Sequence, residues 1–237
     1  MNISEHKKNI VVTGASRGIG LATVKHLLSA GHRVFGLSRQ PLYPELIAFS
    51  ADQPGELHWH STGNDVALVS QAIAGVLPQN EQLHGLIHNA GLLINKAFSE
   101  STEDDWLMQF EVNVFMTFRW THALESLMGP GSHIVHISSM GGVQGSSKFP
   151  GLSLYSAAKG AVCVFTESLS TEWVQRGIAV NALALGAVQT EMLDEAFPGF
   201  QAPVQPEEMG AYVADFCLTG HRLFNGKILQ VAMQNPA

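Results

Sequence analysis

Thr13-Gly14-Ala15-Ser16-Arg17-Gly18-Ile19-Gly20 stands between a β-branched run, Ile10 to Thr13, and an apolar-periodic stretch from about Ile19 to Ser29 that Gly31 closes as a C-terminal cap. A glycine-rich turn from strand into helix lets the backbone approach a pyrophosphate while the helix's first N–H groups point at it. The spacing is Gly-x3-Gly-x-Gly, which differs from the common dinucleotide fingerprint Gly-x-Gly-x2-Gly. Its position after the first strand makes Gly14, Ser16, Arg17, Gly18, Ile19 and Gly20 the candidate dinucleotide contacts.

Outward from this turn, short β-branched runs alternate with longer helical patterns: strands at Arg33 to Leu37, Leu57 to His60, Leu83 to His88, His133 to Ser138, Ile178 to Ala184 and Gly226 to Val231. Helices are expected over Val66 to Val76, Glu103 to Leu127 with Thr102 as its cap, Ser153 to about Gln175, and Pro206 to Cys217. The expected fold is α/β: one doubly wound Rossmann domain over 1–237, its parallel sheet of about seven strands covered by helices on both faces. Right-handed crossovers place all strand C-termini on one edge, where such sheets bind ligands. Gly14 to Gly20, Asn89 to Gly91, Ser138 and Ser139, and Gly186 to Thr190 all fall there.

Thirteen Lys and Arg against twenty Asp and Glu, a net charge of -7, work against a nucleic-acid partner. No apolar stretch approaches the roughly 18 residues of a membrane span, and Met1 to Asn9 is polar, so neither insertion nor export is signalled and a cytoplasmic location is expected. The two cysteines, Cys163 and Cys217, read as buried free thiols in helices. Among eleven histidines, His58 and His60 share a strand face but lack a third ligand at a usable spacing, so no metal site is expected.

Tyr155 and Lys159 in Leu154-Tyr155-Ser156-Ala157-Ala158-Lys159 lie four apart, one turn apart on one helix face. A neighbouring ammonium favours a phenolate, so Lys159 is expected to make Tyr155 a usable acid or base. Combined with the glycine turn, this pair resembles the short-chain dehydrogenase/reductase family over nearly the whole chain, with 3-oxoacyl-thioester reductases the nearest general likeness. The resemblance implies that Ser139 holds a substrate carbonyl with Ser138 as its structural neighbour. It also implies that Tyr155 gives the carbonyl oxygen a proton, that Lys159 bonds the nicotinamide ribose, and that the Asn113 side chain holds a relaying water. Asn89-Ala90-Gly91 is similar to the family's Asn-Asn-Ala-Gly, with His88 in place of the first Asn, and implies backbone contacts near the adenosine ribose. Gly186, Val188 and Thr190 match the segment that bonds the nicotinamide amide, with Leu185 replacing a proline. The adenine contact is left open between Thr62 and a capping Asp65.

Leu37-Ser38-Arg39 ends the second strand without the carboxylate that would bind a ribose 2′-hydroxyl. With Arg39 there and Arg17 in the turn, NADP(H) is favoured over NAD(H). The loop Gly145 to Phe149 is about three residues longer than in common relatives and is expected either to alter the substrate mouth or to bulge harmlessly. The resemblance implies that residues 191–204 form a short substrate lid. The expected activity is NADPH-dependent reduction of a ketone or aldehyde by a homotetramer or homodimer joined through its two long helices. The alternatives are an NAD-dependent alcohol dehydrogenase and a catalytically silent dinucleotide-binding regulator, against which the intact Asn113, Ser139, Tyr155 and Lys159 argue.

Overall fold

Asn9–Thr13 forms β1, and all five of its residues are buried. Ile10 and Val12 enter one core, with Val24, Leu27 and Leu28, while Val11 enters the opposite one with Phe35 and Leu86. Period-two alternation with both faces apolar is what a central parallel strand requires. Burying each such side chain contributes about 1.5–3 kcal/mol. A computed structural model describes residues 7–61 and 65–233. In it β1 lies between β2, Arg33–Ser38, and β4, Leu83–His88, both parallel to it, with Val11 opposite Phe35 and Leu86.

Beyond β2 lies β3, Glu56–Ser61, and beyond β4 come β5, Met128–Ser139, β6, Ala179–Leu185, and β7, Ile228–Val231. The sheet order is β3-β2-β1-β4-β5-β6-β7. Strand order reverses between β1 and β4, so the C-terminal ends of these two strands flank the crevice where such sheets take ligands. Helices α1, Gly18–Ser29, and α8, Pro206–Thr219, cover one face. On the other face lie α3, Val66–Val76, α5, Met116–Leu124, and α6, Ser153–Glu172, through residues such as Ile73, Trp120 and Leu169.

The single long helix expected over Glu103 to Leu127 is a composite. It begins as α4, Glu103–Phe110, under the expected Thr102 cap, whose hydroxyl accepts from Asp105 N while the Asp105 carboxylate accepts from Thr102 N. One π turn, Glu111–Phe115, then leads into α5. Two short helices escaped the sequence pattern: α2, Pro44–Ala51, which buries only Leu46, and α7, Glu191–Ala196, inside the expected lid. Strand β5 starts five residues ahead of the expected His133, with its register against β4 shifting between Leu83 and Gly85. Gly31 closes α1 as expected, at φ +87 with nothing near its Cβ position, so left-handed backbone rather than space selects glycine there. Both cysteines are buried and free. Among the described residues, no helix is long and apolar enough to cross a membrane.

Candidate active site

The glycine turn is fastened to the end of β4. The Thr13 hydroxyl oxygen accepts from the N–H groups of Asn89 and Ala90, both at 3.1 Å, and the Asn89 amide donates to the carbonyls of Thr13 and Gly14 at 3.2 and 3.1 Å. A Cβ on Gly14 would lie 2.7 Å from Ala90 Cα, and one on Gly20 would overlap the Gly14 carbonyl and the Asn89 amide. Asn89-Ala90-Gly91 therefore braces the turn. Arg17 is the N-cap residue of α1, in extended conformation, with no side-chain cap. The first N–H groups of that helix are thus left for an acceptor from elsewhere, and they fit the phosphates of a dinucleotide. Ser16 and Ile19 lie in the same turn.

Ser38 ends β2 buried, its hydroxyl oxygen accepting from Gln40 N at 3.0 Å, while Arg39 is exposed. The Trp59 indole donates to the Gln40 carbonyl and holds this corner. Arg17 is paired with Glu195 of α7, Nη1 to Oε1 2.7 Å. Asp65 caps α3 by accepting from Leu68 N at 3.0 Å, and Thr62 lies outside the described residues.

Ser138 and Ser139 leave β5 in opposite senses, as successive strand residues must. Ser138 is buried; its hydroxyl donates to the Lys159 carbonyl at 3.0 Å and lies 3.1 Å from Cys163 Sγ, tying β5 to α6. Ser139 keeps part of its surface open, accepts from Gly141 N at 3.2 Å and is near enough to the Tyr155 phenol to lower its pKa. Lys159 is only 4% exposed, and its ammonium donates to the Ile137 carbonyl at 2.9 Å, 5.7 Å from the Tyr155 ring centroid.

The electrostatics differ from the expectation of an ammonium-stabilised phenolate. Desolvation pushes the Tyr155 phenol up to about 12, opposed only by Ser139. Desolvation also lowers Lys159 to about 8. The ammonium is engaged with a backbone carbonyl, so burial governs both groups.

Asn113 sits at the middle of the π turn, buried. Its amide donates to the carbonyls of Leu92 and Gln109, each at 2.8 Å, and its Oδ1 accepts from Leu92 N at 3.2 Å. With both donors engaged, this side chain fixes the loop after β4 and the widened turn. A Cβ on Gly91 would stand 3.3 Å from Asn113 Oδ1 and 3.5 Å from Lys159 Nζ, so Asn113, Gly91 and Lys159 do converge. Short π segments recur at functional sites because the wider turn redirects backbone groups.

Gly186 donates its N–H to the Val231 carbonyl at 2.9 Å, and Leu185, in place of a proline, completes the ladder with Ser139 and Val231. Val188 is buried and bridges Val204, joining the two ends of segment 188–204, and the Thr190 hydroxyl caps α7. The longer loop Gly145 to Phe149 folds back on itself, Lys148 Nζ donating to the Val143 carbonyl at 2.6 Å and to Ser146 Oγ at 2.8 Å. Lys148 and Phe149 line a groove of about 750 Å³ along the face of α6 that carries Ser156 and Gly160, one that Tyr155 and Lys159 do not line. His58 and His60 share a face of β3, where both rings stack on Phe35.

Two residues with no motif to mark them join the site. Asn95 donates from its amide to the Ala196 carbonyl at 2.9 Å, and its Oδ1 fills the space a Cβ on Gly151 would occupy, at φ +81. Glu195 engages Arg17 across the cleft. Each contact links positions far apart in the chain, so no local pattern could reveal it.

Comparison with known proteins agrees with this geometry. The short chain dehydrogenase family model matches residues 8–199. The chain is 30% identical over 192 residues to a 3-oxoacyl-[acyl-carrier-protein] reductase of Synechocystis sp., covering 78% of this chain and 75% of that one. It is likewise 30% identical over 193 residues to a cyclopentanol dehydrogenase of Comamonas sp., covering 79% and 76%. A short chain dehydrogenase from Burkholderia cenocepacia, solved in complex with NADP, superposes with a TM-score of 0.84 at 26% identity over 97% of this chain and 98% of that one. The glycine turn braced by Asn89, the Ser139–Tyr155 contact beside Lys159 and the match over most of its length establish that the chain belongs to the short chain dehydrogenase family, an oxidoreductase acting on carbonyl and alcohol groups.

Proposed function

We propose that the protein is an NADPH-dependent reductase of a small ketone or aldehyde. The observation that carries this reading is the meeting of Ser139, the Tyr155 phenol it acts on and the buried Lys159 at the sheet edge that the glycine turn also reaches. A bound nicotinamide supplies the hydride. Ser139 and Tyr155 hold the substrate oxygen between two hydroxyl donors, where negative charge grows as the carbon is reduced. Tyr155 then gives its proton to that oxygen, and Lys159, next on the same helix face, restores it. Burial keeps the Tyr155 phenol protonated throughout the neutral range, the state a proton donor needs. Residues 191–204, bearing Phe197 and Phe200, form the lid over the substrate mouth.

Arg17 and Arg39 at the adenosine end, together with the NADP bound by the Burkholderia relative, support NADP(H) over NAD(H). Alcohol oxidation on NAD is a second reading, favoured by the likeness to a cyclopentanol dehydrogenase, and it needs Tyr155 as a phenolate. Titration with NADPH and NADH by fluorescence, followed by oxidation of the preferred one against ketones, aldehydes and 3-oxoacyl thioesters, separates the two. Turnover with NADPH that falls at least about a hundredfold in Tyr155→Phe is expected. Preference for NADH, or turnover unchanged in Tyr155→Phe, would overturn the proposal.

A further inference from the structure

The lid helix α7 turns an acidic face toward the glycine turn. Glu191 and Glu195 are four apart and so share one face of the helix. Glu195 Oε1 lies 2.7 Å from Arg17 Nη1, and Glu191 Oε2 lies 3.5 Å from the Cβ position of Gly18, the first residue of α1. That helix end has no side-chain cap of its own. The charge of Glu191 also reaches Tyr43, after β2, whose enclosed hydroxyl is unpaired, and helps to raise its phenol. Residues 191–204 contain no lysine or arginine, so nothing on the lid itself neutralises these carboxylates.

We propose that Glu191 and Glu195 act as an internal anion at the dinucleotide's phosphate site, and that Glu195 thereby sets the preference between NADP(H) and NAD(H). The inference rests on the reading of Arg17 as the contact for a ribose 2′-phosphate. A carboxylate and a phosphate compete for one guanidinium, and only NADP(H) carries the 2′-phosphate. Glu191 faces the helix end where the pyrophosphate, common to both dinucleotides, is expected. The two acids therefore divide the work: Glu195 opposes NADP(H) selectively and Glu191 opposes both. The Arg17–Glu195 pair has side chains 50% and 64% exposed, a weak surface contact that a more highly charged phosphate displaces. Displacement leaves α7 anchored at its ends, by the Thr190 cap and by the Asn95 bond to the Ala196 carbonyl, so the acidic face tilts while the lid stays attached.

The test is dinucleotide affinity, measured by fluorescence on the full-length protein with Glu195→Gln, Glu191→Gln and Arg17→Ala. Glu195→Gln is expected to tighten NADPH about fivefold and NADH less than about twofold, the range an exposed ion pair supplies. Glu191→Gln should tighten both dinucleotides to a similar degree. Amide exchange across residues 191–200 should quicken in Glu195→Gln without any dinucleotide, a readout independent of binding. An unchanged NADPH-to-NADH ratio in Glu195→Gln, with Arg17→Ala lowering that ratio, would overturn the inference and leave the cofactor reading intact. An unchanged ratio in Arg17→Ala would overturn the reading of Arg17 as the 2′-phosphate contact and the inference with it, leaving Arg39 to carry the preference. Weaker NADPH binding in Glu195→Gln would show that the lid carboxylate assists the cofactor, and would also reject the inference.

Discussion

Lys159 illustrates how a single buried charge carries both function and cost. Its pKa falls from 10.5 to about 8 because burial penalises the ammonium. In the proposed mechanism, the folded protein below about 8 holds the proton that resupplies Tyr155, and above it the site loses that proton. The rate of carbonyl reduction is accordingly expected to stay level from pH 6 to 7.5 and to fall through about 8, and Lys159→Arg, which stays charged, should lack that limb even if slower. A kcat profile over pH 6 to 10 checks this. Between 8 and 10.5 the unfolded chain binds the proton more tightly than the folded one, so stability attributable to this residue rises with pH through that window. The interval corresponds to about 3 kcal/mol of burial penalty present at neutral pH. Lys159→Met removes that penalty and gives up only the Ile137 bond. Its melting temperature at pH 7 should rise by roughly 5 °C as activity is lost. A fall in melting temperature would mean that the ammonium is better compensated than its single carbonyl partner implies.

At the scale of elements, β4 and β5 bring His88 and His136 opposite each other, their rings 5.1 Å apart and both buried. Thr121 donates its hydroxyl to the Thr117 carbonyl, so it accepts from His88 Nε2–H; Thr166 donates to the Val162 carbonyl, so it accepts from His136 Nδ1–H. Both rings are neutral: burial takes His88 down to about 3 and His136 well below its ordinary value, with His88, Lys159 and His133 adding to the latter. The unfolded chain protonates these rings near 6.5 while the folded one resists, so stability falls as pH drops below that point by about 1.4 kcal/mol per pH unit for each ring. Urea unfolding at pH 7, 6 and 5 should show the decline, and His136→Phe should flatten it by one ring's share. A slope unaltered in that variant would place the acid sensitivity elsewhere. These strands were legible in the sequence because strands buried on both faces read as continuous apolar runs, as β1 does. The break in the long helix was not, because the π turn is stabilised by bonds from Asn113 to the backbone of Leu92 and Gln109 rather than by local propensity. Helices α2 and α7 are too short and too exposed to impose a period. Ser139, Tyr155 and Lys159 were legible as a motif, whereas Glu195 meets Arg17 across 178 residues and Asn95 meets Ala196 across 101.

For the whole molecule, the helical face formed by α5 and α6 is left with large apolar side chains in water. Just ahead of α5, Phe115 is 42% exposed, and Phe118 and Val164 are 36% and 62% exposed. Phe118 packs tilted against Phe165, 4.4 Å between ring centroids, which joins the two helices. Such apolar side chains on a chain with a net charge of -7 are where a second copy is expected to pack. Since both helices begin at the catalytic edge, an isologous pairing of this face with a second copy would brace the π turn and the helix bearing Tyr155 and Lys159 together. We therefore expect a homodimer or homotetramer built on it, and Val164→Glu combined with Phe118→Glu should give a smaller species by light scattering after gel filtration. Dissociation should also weaken activity, because the elements that hold Asn113 and Lys159 beside Gly91 lose their outer support. A monomeric wild-type chain, or a double variant of unchanged mass, would exclude this face as the contact.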